Sequence, residues 1–348
     1  MLSNLLLKAW LTKGPIAYAL LPVAAIYGWL LRQRAQRFAR SPRTLYRPDL
    51  PVIIVGNVVL GGVGKTPVVV AIVRRLQQMG FQPGVLSRGY GRQNEDSSEV
   101  LRVTAQSAPL LAGDEPVMIA AETGVPVFVA QDRPAAMRAL LQAHPQVDVL
   151  VSDDGLQHWA LQRDIEIIVW DERGSGNGWL LPAGLLREPW PRPAWHPFAA
   201  RNKRALHLLA SAQALPPQTS PELAFALQRK LHNYALRADG SKVKLSELQG
   251  QRLSAVAGIA KPDTFFTALR AQGLLLEQTA ALPDHADIAA WWHKLNANAR
   301  NGVWLCTQKD AAKLWQVNSA ALAVPLELEL PAAFWAALTA QLKAKLQA

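Results

Sequence analysis

The chain of 348 residues has a single cysteine, Cys306. One thiol excludes an internal disulfide and fits a reducing compartment; a small buried hydrophobe is its simplest role. Acidic residues are missing altogether before Asp49, whereas Lys8, Lys13, Arg32, Arg34, Arg37, Arg40, Arg43 and Arg47 all precede it. The net charge of +11 is therefore an amino-terminal property, since the remainder is close to balanced, and this argues against nucleic acid as a partner. Charge of either sign is absent from Pro15 to Leu31, and no small-residue cleavage site follows at Arg32 and beyond. The second absence excludes a secretory signal peptide. Internal repeats and low-complexity tracts are lacking too.

What is there is half hydrophobic and long enough for more than one domain. As a helix, the uncharged run of roughly 17 residues would reach about 26 Å, just short of a hydrocarbon core of about 30 Å. Tyr18, Tyr27 and Trp29 suit a membrane interface, and the arginines after them suit anionic headgroups. Residues 1–48 are therefore expected to attach to the cytoplasmic face of a membrane, by spanning it or by dipping into one leaflet. A helix buried in the core is the alternative.

The stretch Val55-Gly56-Asn57-Val58-Val59-Leu60-Gly61-Gly62-Val63-Gly64-Lys65-Thr66-Pro67 carries the most information. It follows the β-branched run Pro51 to Val55 and precedes a helical segment from Val68 to Met79, the context of a phosphate-binding loop. Val59 to Thr66 would cradle phosphates with backbone N–H groups at a helix's positive end. Lys65 would reach the β- and γ-phosphates of ATP, and the Thr66 hydroxyl would hold Mg²⁺. Val59 departs from the usual pattern, which has glycine there. The second signal is the strand-like Val147 to Ser152 followed by Asp153-Asp154-Gly155. Aspartate at the carboxyl end of an apolar strand holds Mg²⁺ from the other side in such enzymes, although an aspartate pair also caps helices.

Beyond Asp49 the pattern alternates strand and helix, predicting an α/β fold built on a parallel sheet with helices on both faces. Strands are expected at 52–55, 84–87, 127–130, 147–152 and 165–170, with helices at 66–79, 115–123 and 132–143. Residues 174–197 read as a long functional loop and 211–220 as a linker. A second, smaller α/β lobe follows, with strands at 253–257, 274–278, 303–306 and 326–330 and helices at 262–272, 288–299 and 311–318. A last helix begins at Ala332. The expected division is thus 1–48, 49–215 as the nucleotide-binding core, and 216–348.

Gly113-Asp114-Glu115-Pro116 opens a helix, so Asp114 is either an N-cap or a base for an attacking hydroxyl. Ser87-Arg88-Gly89-Tyr90-Gly91-Arg92 brings arginines to a strand end, where they could offset phosphate charge. Asp153-Asp154-Gly155-Leu156-Gln157-His158 adds a polar pair beyond the metal candidates. Leu180 to Pro189 sets apolar surface beside Arg187 and Glu188, suiting an amphiphilic substrate. Pro283-Asp284-His285 falls on a loop, where a lone histidine reads first as structural. Thr307-Gln308-Lys309-Asp310 joins a strand to a helix, an unspecific place for nucleotide contact.

In this order the motifs resemble the tetraacyldisaccharide 4'-kinase family of Gram-negative bacteria. The resemblance rests on Val55 to Asn57 with Gly61 to Pro67, Leu86 to Arg92, Gly113 to Pro116, Asp153 to His158, Leu181 to Gly184 with Leu186 to Pro189, and Thr307 to Ala311. It covers nearly the whole chain, and the departure at Val59 looks like the family's own variant. Leu185 stands where the family would have proline. The resemblance implies transfer of the ATP γ-phosphoryl group to the 4'-hydroxyl of an acylated disaccharide lipid, a membrane-associated enzyme at the cytoplasmic face of the inner membrane, and two lobes flanking the active site. It implies Lys65, Asp114 and His285 as catalytic, with Asp114 the base, and Thr66, Asp153 and Asp154 on the metal. No obligate protein partner is evident. The alternatives are a nucleotide-dependent switch or metallochaperone, which would normally carry an Asn-Lys-x-Asp signature that is absent, and a soluble small-molecule kinase or ligase.

Overall fold

The computed structural model describes residues 2–40, 48–93, 99–211, 214–215, 219–259, 261–283 and 286–347. They form two compact units, one of residues 1–227 with 330–348 and one of residues 228–329.

The first unit begins with helices α1 (Leu2–Leu11), α2 (Pro15–Ala19) and α3 (Leu21–Arg40). The uncharged run is not one continuous helix. It breaks at Leu20, because Pro22 lacks the N–H that an uninterrupted helix would use and fits only a first turn. The second half of α3 is arginine-rich. Among the described residues no helix is long and apolar enough to cross a membrane. The inner side of these helices is stitched to the chain that follows. Trp10 Nε1 donates to the Pro182 carbonyl at 2.8 Å, and Asn177 Nδ2 donates to Ala9, Thr12 and Ala183 carbonyls. Tyr27 donates to the Arg187 carbonyl at 2.7 Å.

The sheet of this unit uses β1 (Val52–Gly56), β2 (Pro83–Ser87), β3 (Leu101–Val103), β4 (Val127–Val129), β5 (Val149–Asp153), β6 (Ile165–Trp170), β7 (Leu206–Leu209) and β8 (Ala224–Ala226). Their order is β3-β4-β2-β5-β1-β6-β7-β8, parallel except for β3 against β4. Every residue of β1, β2, β5 and β6 is buried, as a sheet covered on both faces requires. Helices α4 (Lys65–Gln78), α5 (Pro109–Ala112), α6 (Asp114–Thr123) and α7 (Arg133–Ala143) connect these strands. From β1 the chain moves one way to β2 and β4, then returns to β5 and β6. Right-handed crossovers therefore put α4 and α6 on one face and α7 on the other. The reversal leaves β1 and β5 side by side, Val55 paired with Asp153, with their carboxyl ends at a switch point where such sheets bind ligands. Residues 171–198 contain no helix or strand.

The second unit contains β9 (Gln228–Leu231), β10 (Tyr234–Leu236), β11 (Lys242–Lys244), β12 (Leu253–Ala257), α8 (Pro262–Ala271), β13 (Leu276–Ala281), α9 (Ile288–Lys294), α10 (Ala297–Arg300), β14 (Val303–Thr307), α11 (Gln308–Leu314), β15 (Leu322–Val324) and β16 (Leu326–Glu329). Six strands make a mixed sheet in the order β11-β10-β15-β14-β12-β13, while β9 and β16 pair antiparallel. The helix expected over 288–299 is two, because Asn296 accepts from Ala299 N–H and starts a new one. This unit begins later than residue 216 and closes before the last helix, α12 (Ala332–Leu346), which belongs to the first. Phe334 of α12 packs edge-on against Phe225, and Gln341 Nε2 donates to the Arg204 carbonyl at 2.9 Å. Short strands such as β3, β7 and β15 carry too few residues to show a period.

Candidate functional site

The glycine-rich loop leaves the carboxyl end of β1 and enters α4 through Gly64, whose φ of 73° places it in the left-handed region. The first usual glycine is dispensable here for a visible reason. Residues 58–60 run extended beside 185–187: Arg187 N–H donates to the Val58 carbonyl at 2.7 Å and Leu60 N–H to the Leu185 carbonyl at 2.8 Å. Val59 bridges Leu186 between them. Extended backbone accepts valine, and Leu185 needs only its carbonyl for this pairing.

Asn57, fully buried, organises the loop from inside. Its Nδ2 donates to the carbonyls of Val59 (2.7 Å) and Gly61 (3.3 Å). Its Oδ1 accepts from Lys65 Nζ (3.1 Å) and Arg187 Nη1 (3.3 Å). The same two cations share Asp154, at 3.4 Å from Lys65 Nζ and 3.2 Å from Arg187 Nη1. Burial acts to raise the Asp154 pKa, but Lys65 and Arg187 outweigh it and hold the carboxyl below its ordinary value. Asp154 has φ 48°, a conformation that aspartate tolerates better than most residues and that turns the chain directly after β5.

Asp153 is the opposite case. It is 1% exposed. Burial first, then the Glu115 carboxylate, push its pKa up to about 7 against the pull of Lys65. Its Oδ2 lies 3.5 Å from Ser87 Oγ, and its Oδ1 has no hydrogen-bond partner among the described residues. A buried oxygen donor without a partner is costly unless a cation completes it. The effect of Glu115 on Asp153 puts the first turn of α6, where Asp114 is the first residue, within electrostatic reach of the site.

Behind the site, Gln157 Nε2 donates to the Asn57 carbonyl at 3.1 Å and to Glu188 Oε1 at 2.9 Å. Glu188 continues into a buried network: His196 Nε2 at 2.9 Å, Arg192 Nε at 3.4 Å, then Arg192 to Glu166 and Arg163 to Glu166. Burial opposes ionisation of Glu188, yet Arg192 and His196 hold its pKa down at about 2.

A model of the tetraacyldisaccharide-1-P 4'-kinase family matches residues 16–343. The chain is 46% identical over 341 residues to the tetraacyldisaccharide 4'-kinase of Acidovorax sp. (strain JS42), covering 98% of this chain and 95% of that one. It is 48% identical to the enzyme of the same name from Polaromonas sp. (strain JS666), covering 97% and 95%. The chain belongs to the tetraacyldisaccharide 4'-kinase family. Among solved structures, the family enzyme of Aquifex aeolicus in complex with ATP superposes with a TM-score of 0.77 at 25% identity, covering 95% of this chain and 99% of that one.

In this family member the fold brings Val59 to Thr66, Lys65, Asp153 and Asp154 together at one sheet edge. His285 lies outside the described residues, in the sequence of the second unit. Sequence reasoning missed Asn57 and Arg133 as site residues. Arg133 is buried at the start of α7 and donates to the carbonyls of Ala130 (2.6 Å) and Asp153 (3.3 Å). Its backbone N–H donates to His158 Nε2 at 3.2 Å, and burial with the surrounding arginines lowers the His158 pKa to about 3, so that imidazole is neutral. An arginine just before Pro134 carries no sequence signal beyond helix initiation. Arg187 and Glu188 look alike as a charged pair, yet one faces the site and the other the core. Among the described residues no cluster of three or more His, Cys, Asp or Glu forms.

Proposed function

We propose that the protein transfers the γ-phosphoryl group of ATP to the 4'-hydroxyl of tetraacyldisaccharide 1-phosphate at the cytoplasmic face of the inner membrane. One observation carries the reading: Lys65, held by Asn57 and Asp154, stands at the same switch point as the partnerless carboxylate oxygen of Asp153. Lys65 leaves Asp154 for the β- and γ-phosphates, and Arg187 keeps Asp154 in place. Thr66 and Asp153 would hold Mg²⁺, with Asp154 the less suited aspartate because Arg187 still pairs with it. A magnesium ion held there would supply charge neutralisation on the phosphates. The 4'-oxygen attacks the γ-phosphorus in line, the bond to the β-phosphate oxygen breaks with its electron pair going to ADP, and the hydroxyl proton goes to Asp114. A carboxylate is a weak base toward an alcohol, so that proton moves late, as the new bond forms. His285 assists at this step.

The amino-terminal helices support attachment to the membrane surface. Ile26 (59% exposed), Trp29 (58%), Val23 and Leu30 turn outward on α3, followed by exposed Arg32, Arg37 and Arg40. An apolar strip with arginines at its edge suits an interfacial helix whose acyl-chain substrate stays in the bilayer. The test is a radiolabelled-ATP assay with the acylated disaccharide in mixed micelles against an ATP-only control. Labelled lipid is expected; free orthophosphate irrespective of lipid would refute the reading and favour a nucleotide switch.

A further inference from the structure

We propose that Arg173 is a further catalytic residue: an arginine from within the chain that touches the transferred phosphoryl group and takes up the charge building on it. The proposal rests on the phosphoryl-transfer reading above. Asp171 and Arg173 directly follow β6, the other neighbour of β1, so they emerge at the sheet edge that carries the phosphate loop. The guanidinium lies against the loop at Gly61. A Cβ on Gly61 would sit 3.4 Å from Arg173 Nη2 and 3.6 Å from Nη1, ordinary contact distances that place the guanidinium directly against the loop backbone.

Gly61 borders the reacting end of the loop. The Asn57 carboxamide that accepts from Lys65 Nζ also donates, from its nitrogen, to the Gly61 carbonyl. The Gly61 peptide is therefore beside the ammonium that reaches the β- and γ-phosphates. Arg173 is fixed in advance. Its Nε donates to Asp171 Oδ2 at 2.8 Å, its backbone N–H to Asp171 Oδ1 at 3.0 Å, and its Nη2 to the Leu60 carbonyl at 3.1 Å. Asp171 is itself buried. Nη1 has no hydrogen-bond partner among the described residues, and the side chain is 16% exposed. A planar donor held in place, with one amino group still to engage, matches a transition state whose charge spreads over three equatorial oxygens. The bonds made and broken are those already given; Arg173 neither gains nor loses a proton.

The test compares Arg173→Ala and Arg173→Lys with wild type in the micelle assay. In both variants kcat is expected to fall about 10²–10³-fold, the range for one donor to developing charge, with the KM for ATP changed by less than about threefold. Millimolar methylguanidinium should restore part of the Arg173→Ala turnover, which a lost structural prop would not allow. Titration with ADP, magnesium and aluminium fluoride needs no lipid, so it tests Arg173 even if the acceptor assignment fails: both variants should bind this mimic of the transferring phosphate far more weakly than wild type while binding ATP comparably. Should Arg173→Ala fail to fold, Arg173→Lys keeps the charge and the stem. Unchanged kcat in Arg173→Lys, or parallel losses of ATP affinity, melting temperature and turnover without rescue, would overturn the proposal. Absence of lipid phosphorylation by wild type would refute the kinase reading instead.

Discussion

Asp153→Asn should make the nucleotide-free protein more stable at pH 8 while abolishing transfer. The carboxyl titrates at an ordinary 3.8 in an unfolded chain and at about 7 in the fold, where burial and Glu115 disfavour its charge. The folded state thus holds this proton more tightly than the unfolded one. Stability from this group is full below about pH 4 and declines as pH rises toward 7. The full difference corresponds to an upper bound of about 4 kcal/mol above pH 7. Asparagine never ionises, but its amide inherits an imperfect site near Ser87, which costs about 1 kcal/mol. A net gain of about 2–3 kcal/mol remains, on the order of 5–10 °C for a unit of this size. Thermal unfolding between pH 5 and pH 9 reads it directly: the variant's advantage should grow to neutral pH and then level off. Magnesium with ATP should raise the melting temperature of wild type and scarcely that of the variant. A variant melting below wild type at pH 8, or a gap independent of pH, would mean that Asp153 is already satisfied by the protein and awaits no cation.

Lys65→Ala should leave the fold intact, since Arg187 still holds Asp154, while lowering kcat/KM for ATP by at least about 10³-fold in the radiolabel assay. Asp114→Ala should reduce kcat far more than it weakens ATP binding measured by calorimetry; equal losses would reassign Asp114 to metal or nucleotide. Glu188→Gln, which leaves buried Arg192 and His196 beside a neutral amide, should cost about 3–5 kcal/mol in urea unfolding at pH 7. Acid should act in two stages, the first read in Asp153→Asn, because in wild type the protonation of Asp153 between pH 7 and pH 4 stabilises the fold and offsets it. His158, pushed by burial from 6.5 to about 3, stays neutral while the unfolded chain takes up a proton, so stability falls below pH 6.5. Glu188, lowered from 4.5 to about 2, contributes stability above pH 4.5 that is lost as pH falls toward 2, and Glu188→Gln should lack that second stage.

The elements legible in the sequence are those whose cause is local. β1, β2, β5 and β6 lie within two residues of their expected bounds, because strands buried on both faces concentrate β-branched and aliphatic residues even where Pro83-Gly84 or Glu166 interrupts them. α4 starts where Gly64 frees the backbone to turn. The last helix starts at Ala332 as expected, but its attachment to the first unit depends on Phe334 meeting Phe225, and residues 212–213 and 216–218 of the expected linker lie outside the described residues. The apolar amino-terminal run led to the expectation of membrane attachment but did not reveal the break at Leu20, nor that Tyr27 fastens it to Arg187 beside the phosphate loop.

Sequence alone determined the phosphate loop and the aspartate pair, because strand, glycine and lysine spacing acts through neighbouring backbone. The division of labour was decided only by tertiary structure. Asp153 and Asp154 are adjacent in the chain and chemically identical, yet one is buried beside Glu115 with an oxygen unmet and the other is clasped by Lys65 and Arg187. Charge state depends on what the fold places within a few ångströms, and those partners come from α6, the phosphate loop and residue 187, far apart along the chain.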